Sequence, residues 1–149
     1  MPDFNTARHK LPLLAVAQAQ KEITHNEALV RIDALLHPVV QDELAIPPVA
    51  SDADTGKCWL VAASPSGEWA GKAGQIAIWV GGGWRFCVPA EGMRARQQSQ
   101  NIDRIRSAGV WLMPPAISNP AEGSVVDTEA RAAIVSLLAH LRAIGHVTS

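Results

Sequence analysis

The sequence predicts an α+β fold, in which an N-terminal helix precedes a small antiparallel β-sheet and a C-terminal amphipathic helix follows it. Three observations support this prediction: a long helical stretch that a proline ends, a Gly-Gly hairpin signal between two apolar segments, and a capped apolar stripe near the end of the chain. We therefore expect helices on both sides of a run of strands along the sequence.

The first helix is predicted from about Leu13 to His37, because helical composition continues over these residues and Pro38 cannot extend a helix. Its first half carries polar groups on several sides, which is typical of a helix that is exposed or covered by a partner chain. Residues 1–12 are polar, contain two prolines and are predicted to form an arm. The second half of the helix has apolar residues at the spacing of one helix face: Ala28, Leu29, Ile32, Leu35 and Leu36.

The middle of the chain predicts an extended connector and then three short strands. Residues 38–56 contain Pro47-Pro48 and the turn-forming stretch 51–56, so they are not expected to be helical. Gly81-Gly82 predicts a hairpin, because glycine accepts the positive φ that tight hairpin turns require. The three strands are predicted at Lys57–Ala63, Gln75–Val80 and Gly83–Val88.

The last part of the chain is predicted to be mainly helical. Residues 90–107 have a helical composition rich in Arg and Gln, whereas the apolar run at 110–113 favours a short strand. Asp127 is placed to cap a final helix, Glu129 falls in its first turn and Gly145 suits its C-terminal end. The apolar face of this helix is formed by Ile134, Leu137, Leu138, Leu141 and Ile144.

The composition is that of a globular protein, with 48% hydrophobic and 18% charged residues. The formal net charge of −1 argues against nucleic acid as a partner and against a polybasic membrane patch, because both need a basic excess. The sequence has no apolar run of membrane-spanning length and no secretory signal at its N-terminus. We expect no membrane insertion and a cytoplasmic location on synthesis.

No group of residues in the sequence predicts catalysis, a cofactor or a metal site. The histidines lack metal-type pairing, the serines lack a nucleophile elbow, and no acidic pair is fixed as a glycosidase requires. The Gly81-Gly-Gly83 run precedes neither Lys-Ser/Thr nor a helix, so it predicts a turn and not a phosphate loop. Cys58 and Cys87 are expected to be buried free thiols, with a disulfide as the alternative if their strands pair. These observations predict a protein that is not an enzyme and has no cofactor and no metal.

A long motif opens the chain: Leu-Pro-Leu-Leu at 11–14, Gln-Ala-Gln-Lys-Glu at 18–22, Thr-His-Asn-Glu-Ala-Leu at 24–29, Asp-Ala-Leu at 33–35 and Pro-Val-Val at 38–40. This motif resembles the start of a domain family of unknown function that is found in prophage and gene-transfer-agent proteins. The resemblance continues through 56–61, 67–71 and 74–79 to Gly83-Trp-Arg-Phe86 and Pro89. It implies a family core at residues 13–89, between the arm and a C-terminal helical region at 90–149.

The family resemblance implies a biological setting for the protein but no particular catalytic or binding chemistry. Its members occur mostly in tail-fibre-like and other host-attachment components, so the resemblance implies a structural or attachment protein of a phage-like particle. It further implies a homo-oligomer, for which a trimer is favoured, and other phage tail or baseplate proteins as partners. The expected location after assembly is the particle itself, the virion.

The polar first helix independently favours a homo-oligomer, because polar residues in a helix seam can set register and oligomeric state. A second copy of the helix could pair amide with amide around a symmetry axis, whereas a monomer with a half-exposed helix is the alternative. On this hypothesis, replacing both Ile23 and Leu29 with Asp should lower the native mass to that of one chain. The interface is predicted to comprise Val16, Gln18, Ala19, Gln20, Ile23, Asn26, Leu29 and Val30.

The tryptophans suggest an alternative function as a glycan-binding module that recognises host surface polysaccharide. By alternation, Ala77 and Trp79 share one face of their strand, opposite the face of Ile76 and Ile78. An exposed indole offers a flat apolar surface for stacking on a sugar ring, whereas core packing is the alternative for these side chains. The candidate glycan contacts are Trp69, on a glycine-rich loop, together with Trp79 and Trp84.

Overall fold

Seven β-strands form one mixed sheet in a computed structural model of the chain, which describes residues 4–14 and 21–148. Two α-helices flank the strands in sequence, α1 at Lys21–Leu35 and α2 at Thr128–Ala143. The strands are β1 (Val39–Leu44), β2 (Cys58–Val61), β3 (Ile76–Val80), β4 (Gly83–Cys87), β5 (Arg94–Gln97), β6 (Ile102–Ser107) and β7 (Val110–Leu112).

The sheet has the order β4-β3-β2-β1-β5-β6-β7, with β1 at its centre. β1 runs parallel to both of its neighbours, β2 and β5, and the remaining pairs are antiparallel. The α+β class is therefore confirmed, but the prediction of a small antiparallel sheet is wrong. The sheet is larger and mixed because two segments that were not predicted as strands complete it.

The first of these segments is β1, which lies in the predicted connector. Val40 is fully buried in it, between Cys58 of β2 and Gln97 of β5. The prolines and turn residues that suggested a connector lie between residues 47 and 56. They all follow this strand, which ends at Leu44. A strand of six residues with a single fully buried position carries little periodicity, so its neighbours and not its own pattern define it.

The second segment is the β5–β6 hairpin, which lies in the region predicted to be helical. Arg and Gln favour helices intrinsically, but here Ala95 and Gln97 point into the protein while Arg94 and Arg96 alternate to the other side. Pairing with β1 and β6 provides hydrogen-bond partners for the backbone N–H and C=O groups of β5. These tertiary contacts outweigh the weak helical propensity of the segment. The expected helical region at 90–149 is therefore helical only in α2 among its named elements.

The predicted β3–β4 hairpin is confirmed, with Trp79 opposite Trp84 and Val80 opposite Gly83. Gly81 and Gly82 both have positive φ, as the tight turn requires. The short strand expected at 110–113 is confirmed as β7.

The predicted final helix is also confirmed. The Asp127 carboxylate accepts a hydrogen bond from the Ala130 N–H at 2.8 Å, and Glu129 lies in the first turn. Gly145 has a φ of +79° directly after the capping residue Ile144, in the position where a helix commonly ends with a left-handed residue.

The two faces of the sheet are buried by different parts of the chain. The face that α1 covers carries Val40, Leu60 and Ile76, and Ala34 of α1 packs into this cluster. We call it the α1 face. The opposite face, which we call the tryptophan face, carries Trp59, Ala77, Trp79 and Phe86, with the loop residue Trp69 packed against them.

The sheet coils strongly enough to bring its β7 edge back to the loop before β3. Trp111 of β7 lies in the α1-face core, and its indole N–H donates to the Gly74 carbonyl at 3.0 Å. The Arg106 guanidinium donates to the same carbonyl at 3.2 Å. Strands that are far apart in the sheet order therefore enclose one core.

The predicted beginning of the first helix, near Leu13, is not helical in the structure. Leu13 and Leu14 are not helical, and residues 15–20 lie outside the described residues. Residues 4–14 fold back on themselves, since the Leu13 N–H donates to the Phe4 carbonyl and the Thr6 N–H to the Leu11 carbonyl. They dock against α1 and do not form a free arm, because Thr6 is 2% exposed and the Arg8 guanidinium donates to the carbonyls of Asp33 and Ala34.

Candidate functional site

The outer side of α1 is the surface where the sequence predicted an oligomer interface. Ile32 is 51% exposed and Leu36 is 46% exposed, although the apolar face to which they were assigned was expected to be buried. Ala28, one turn before Ile32, is exposed as well. We call Ala28, Ile32 and Leu36 the outer patch of α1. The helix thus has apolar residues on its outer side in addition to Ala34, which packs on the sheet.

No described member of the predicted interface belongs to the outer patch. Ile23 is 62% exposed at the beginning of the helix, but it lies nine residues before Ile32 and so on the opposite side of the helix. Leu29 and Val30 are half-buried. Four members of the predicted interface, Val16, Gln18, Ala19 and Gln20, lie outside the described residues.

Asn26 does not present its amide outward, as pairing with a partner amide would require. Its side-chain carbonyl accepts from the Leu14 N–H at 2.9 Å, and its amide nitrogen donates to the Leu14 carbonyl at 3.0 Å. The amide therefore imitates the backbone of a neighbouring strand and holds the N-terminal segment against α1. The side chain of Asn26 is therefore hydrogen-bonded within its own chain.

The tryptophan cluster is organised around Trp84. Its ring makes edge-to-face contacts with Trp59, Trp69 and Trp79 at centroid separations of 5.4, 5.0 and 4.9 Å. Such contacts between aromatic rings are favourable beyond the area that they bury. The alternation predicted for Ala77 and Trp79 is confirmed, because both lie on the tryptophan face.

The prediction that Trp69 offers an exposed indole is wrong. Trp69 is 0% exposed, because the short 3₁₀ turn Gly67–Trp69 directs its side chain under Trp84. A glycine-rich loop suggested exposure, but the loop folds over the sheet and supplies its cover. Trp79 and Trp84 are half-buried, so part of each indole remains at the surface.

A buried polar network crosses β1, β5 and β6 on the α1 face. The guanidinium of Arg104, which is 4% exposed, donates to Gln97 Oε1 at 2.8 Å, to the Trp111 carbonyl at 3.0 Å and to Glu43 Oε2 at 2.6 Å. Gln97 in turn donates to Asp42 Oδ1 at 2.8 Å. These residues were not predicted from the sequence, and the alternation within Arg94-Ala-Arg-Gln97 is the signal that could have revealed them. With its charge paired and hydrogen-bonded, Arg104 acts as a structural link between strands.

A groove of about 450 Å³ lies beside β6 and β7, with a floor that includes Ile105, Leu112 and Met113. Asp103 at its rim is held by Arg96 at 3.0 Å and by His146 at 3.2 Å. The remaining lining residues are Arg94, Arg104, Pro114 and Pro115. The pair with Arg96 joins β5 to β6, and the contact with His146 links the sheet to the turn that follows α2.

Helix α2 is attached to the sheet mainly through this end. The Gly145 carbonyl accepts from the Asp103 N–H at 2.9 Å, and the Ile144 carbonyl accepts from the Arg96 guanidinium at 2.7 Å. Leu138 is buried to 6% exposure, whereas Ile134 is 47% and Leu137 58% exposed. Most of the apolar surface of the helix is therefore uncovered.

The cysteines are free and buried, as the sequence predicted. Burial raises the pKa of the Cys58 thiol to about 12, and burial also raises the pKa of Cys87. β3 lies between their strands, which removes the pairing on which the disulfide alternative depended. Neither thiol has the low pKa of a nucleophile.

Within residues 4–14 and 21–148, no three His, Cys, Asp or Glu side chains are grouped as metal ligands. No helix in the described part of the chain is both long and apolar enough to cross a membrane. The described surface is thus characterised by uncovered apolar patches on α1 and α2, by the two half-buried indoles and by the groove.

Comparison with known families places the sheet at the centre of a shared domain. Residues 25–112 match the family described as "Protein of unknown function (DUF2793)", and no curated protein matches the chain. The match begins inside α1 and ends with the last residue of β7, so it contains every strand and excludes α2. It extends past residue 89, where the family core was expected to end. Because the match covers more than half of the 149 residues, the chain belongs to the DUF2793 family of proteins of unknown function.

Proposed function

We propose that the protein is a non-enzymatic structural and attachment component of a phage-like particle, and that copies of it assemble through the outer patch of α1. The observation that carries the assembly is the exposure of Ile32 and Leu36 on a helix whose opposite side already packs on the sheet. A row of exposed apolar side chains on one side of a helix is typical of a surface that another protein chain covers. The setting in a particle is supported by the opening motif and its resemblance to prophage and gene-transfer-agent proteins.

A second copy is a suitable cover for the outer patch. Covering an exposed leucine or isoleucine completely stabilises an assembly by roughly 1.5–3 kcal/mol, and a symmetric contact counts each side chain in every copy. Glu27 and Arg31, which lie beside the patch, already pair with each other at 2.9 Å within the helix. The patch therefore presents no unpaired charge to a neighbouring helix from these two positions.

The assembly is tested by the native mass of the protein, measured by light scattering and native mass spectrometry. We expect a multiple of 15.9 kDa, with three copies around the α1 contact. The double variant Ile32→Asp with Leu36→Glu should lower this mass. These positions are preferable to Leu29, because Leu29 is half-buried against its own chain and its replacement by Asp would also disturb the fold.

A matched control carries the same kind of change away from α1. Val49→Asp with Val88→Asp replaces two side chains that are 104% and 78% exposed in loops, and it should leave the native mass unchanged. A wild-type protein that has the mass of one chain at micromolar concentration would refute the proposed assembly. Particles purified from producing cells and probed with an antibody would test the setting, because absence of the protein from them contradicts an attachment role.

Glycan binding is the second candidate, and the half-buried state of Trp79 and Trp84 favours it. Their indoles adjoin at the β3–β4 hairpin, where a sugar ring could stack on the exposed parts. Titration with bacterial surface polysaccharide should then change the tryptophan fluorescence, and Trp79→Ala should abolish that change. A titration without any fluorescence change or calorimetric heat would exclude this function for the polysaccharide tested.

A further inference from the structure

Helix α2 has a composition that does not suit an isolated surface helix. Ten of its 16 residues are apolar, yet Leu138 is its one fully buried side chain among those described. The apolar residues Ile134, Val135 and Leu137 are 47%, 37% and 58% exposed. A solvated helix normally carries charged residues on the side that faces water. The composition of α2 therefore indicates a second contact in addition to its attachment to the sheet.

The exposed apolar residues of α2 follow the spacing of a helix-pairing seam. The intervals along this seam alternate between four and three residues, the repeat by which two helices pack side chains into each other. The seam is separate from Leu138, which attaches α2 to its own sheet. The seam residues are Ala130, Ile134, Leu137, Leu141 and Ile144, of which Leu141 is half-buried and the others are exposed.

We infer that α2 packs antiparallel against α2 of a second copy of this chain, across a two-fold axis. The charges of the helix support this orientation. Asp127 and Glu129 lie at its beginning, whereas His140 and Arg142 lie in its last turn. An antiparallel pair brings the acidic end of each helix to the basic end of the other and aligns the helix dipoles favourably, whereas a parallel pair places like charges together.

The seam is self-complementary in the antiparallel register centred between Val135 and Ser136. The small Ala130 then faces the partner's large Leu141, and Ile134 faces the partner's Leu137, so that the four positions fill the contact without large cavities. Glu129, at the acidic end of the helix, forms no ion pair within the described residues.

The residues before the helix extend this contact. Val125 and Val126 are 91% and 50% exposed, and the antiparallel register brings them to the turn that follows the partner's Ile144. Ile144 is itself 38% exposed. The apolar surface available for pairing is therefore longer than the helix alone.

The inference deepens the proposed function, since it rests on self-assembly and names a second contact that lies outside the family match. Its orientation is tested by disulfide cross-linking of two variants that each carry one added cysteine, Ala130→Cys and Leu141→Cys. The native Cys58 and Cys87 are buried and should not interfere. An oxidised mixture of the two variants should form a covalent dimer that contains one chain of each.

Each variant alone should form no covalent dimer. Two copies of position 130 in the antiparallel pair are offset by about 16 Å along the helices, whereas a disulfide needs Cα atoms about 4.4–6.8 Å apart. Efficient cross-linking of either variant with itself would indicate parallel helices and overturn the inference. Absence of cross-linking in the mixture would also overturn it.

A mass measurement separates this contact from the outer patch of α1. Leu137→Glu should halve the native mass, while Ser136→Glu, an exposed position on another side of the same helix, should leave it unchanged. A native mass that Leu137→Glu does not change would contradict the α2 contact.

The α1 and α2 contacts can also fail independently. If Leu137→Glu halves the mass and Ile32→Asp with Leu36→Glu has no effect, the α2 contact stands and the α1 assembly fails. The reverse result rejects the α2 contact and supports the α1 assembly. If both contacts exist, the protein that combines all three substitutions should have the mass of one chain.

Discussion

Asp33 anchors the N-terminal segment to α1 through a buried carboxylate. Its carboxylate, on a side chain that is almost fully buried, accepts hydrogen bonds from the backbone N–H groups of Arg8 at 2.8 Å and His9 at 2.6 Å. Burial raises the pKa of this carboxyl, but the hydrogen bonds from Arg8, His9 and Thr6 outweigh it and hold the pKa below the usual 3.8. The ionised form of Asp33 is therefore the form that the folded state stabilises.

Replacement of Asp33 by Asn should destabilise the protein by about 3 kcal/mol, because it removes charge-assisted hydrogen bonds and turns an amide donor towards backbone donors. The stabilisation from Asp33 is present above its unfolded-state pKa and is lost as the pH falls through the lower folded-state pKa. Urea unfolding at pH 7 and pH 3 measures the free energy of unfolding of the wild type and of Asp33→Asn. The difference between the two proteins should therefore be smaller at pH 3 than at pH 7. Asp52→Asn, at an exposed turn, is the control and should behave as the wild type. An equal loss at both pH values would contradict the role of the charge.

The Cys58 thiol should be unreactive in the folded protein. Its pKa is raised to about 12 by burial, so almost none of the nucleophilic thiolate is present at pH 8. We expect a colorimetric disulfide reagent to label no thiol quickly under native conditions and two thiols per chain after denaturation. Rapid native labelling of one thiol would show that Cys58 or Cys87 is more open than the structure indicates.

At the scale of elements, the attachment of α2 depends on one close approach of the backbone. Gly145 has a φ of +79°, and a Cβ atom there would lie 2.6 Å from the Asn101 carbonyl oxygen and 2.8 Å from the Ile102 Cα. Both neighbours are backbone atoms of the β5–β6 hairpin, so they cannot move aside without distortion of the sheet. The helix end therefore fits this position because residue 145 has no side chain.

Gly145→Ala should release α2 from the sheet. Gly109→Ala is a matched control, since Gly109 has a φ of +77° but nothing within 4 Å of the added Cβ. Gly109→Ala should lower the free energy of unfolding only by the backbone strain, about 1–2 kcal/mol, whereas Gly145→Ala should lower it by more. Limited proteolysis should cut the chain between residues 116 and 128 faster in Gly145→Ala alone. Equal stability and equal cleavage of the two variants would exclude the close approach as the cause.

At the scale of the whole molecule, the central position of β1 makes the sheet one cooperative unit. β1 pairs with β2 on one side and with β5 on the other, so it joins β2, β3 and β4 to β5, β6 and β7. Trp111 of β7, at the far edge of the sheet, completes the α1-face core. A chain that ends at residue 89 lacks β5, β6 and β7. It leaves one edge of β1 unpaired and removes two members of the α1-face core, Ala95 and Trp111.

We therefore expect the fragment 1–89 not to unfold cooperatively, whereas the fragment 1–115 retains all strands and should do so. The longer fragment loses the buried Leu138 and Val147, and its melting temperature should fall by about 10 °C relative to the full chain. Calorimetry of the two fragments measures both outcomes. A sharp transition in 1–89 would show that β1 to β4 form an independent domain.

The sequence by itself determined the features whose signal is local. The β3–β4 hairpin follows from Gly81-Gly82, the start of α2 from the side chain of Asp127, and its end from Gly145, because turn geometry and helix capping depend on a few consecutive residues. The free, buried state of Cys58 and Cys87 followed from their place in apolar strands. The motif and its continuation to Pro89 likewise indicated a domain of unknown function, because a long run of specific residues is informative without any structure.

The tertiary structure alone decided what depends on distant partners. β5 and β6 are strands because β1 pairs with β5 and because Glu43 of β1 pairs with Arg104 of β6, although the intrinsic propensity of this segment is helical. Trp69 is buried because its loop folds over the sheet and places the indole against Trp84. The Asn26 side chain is hydrogen-bonded because the backbone of Leu14 lies beside it. Whether these two side chains have partners depends on which segments return to them, and the local sequence around Trp69 and Asn26 does not carry that information.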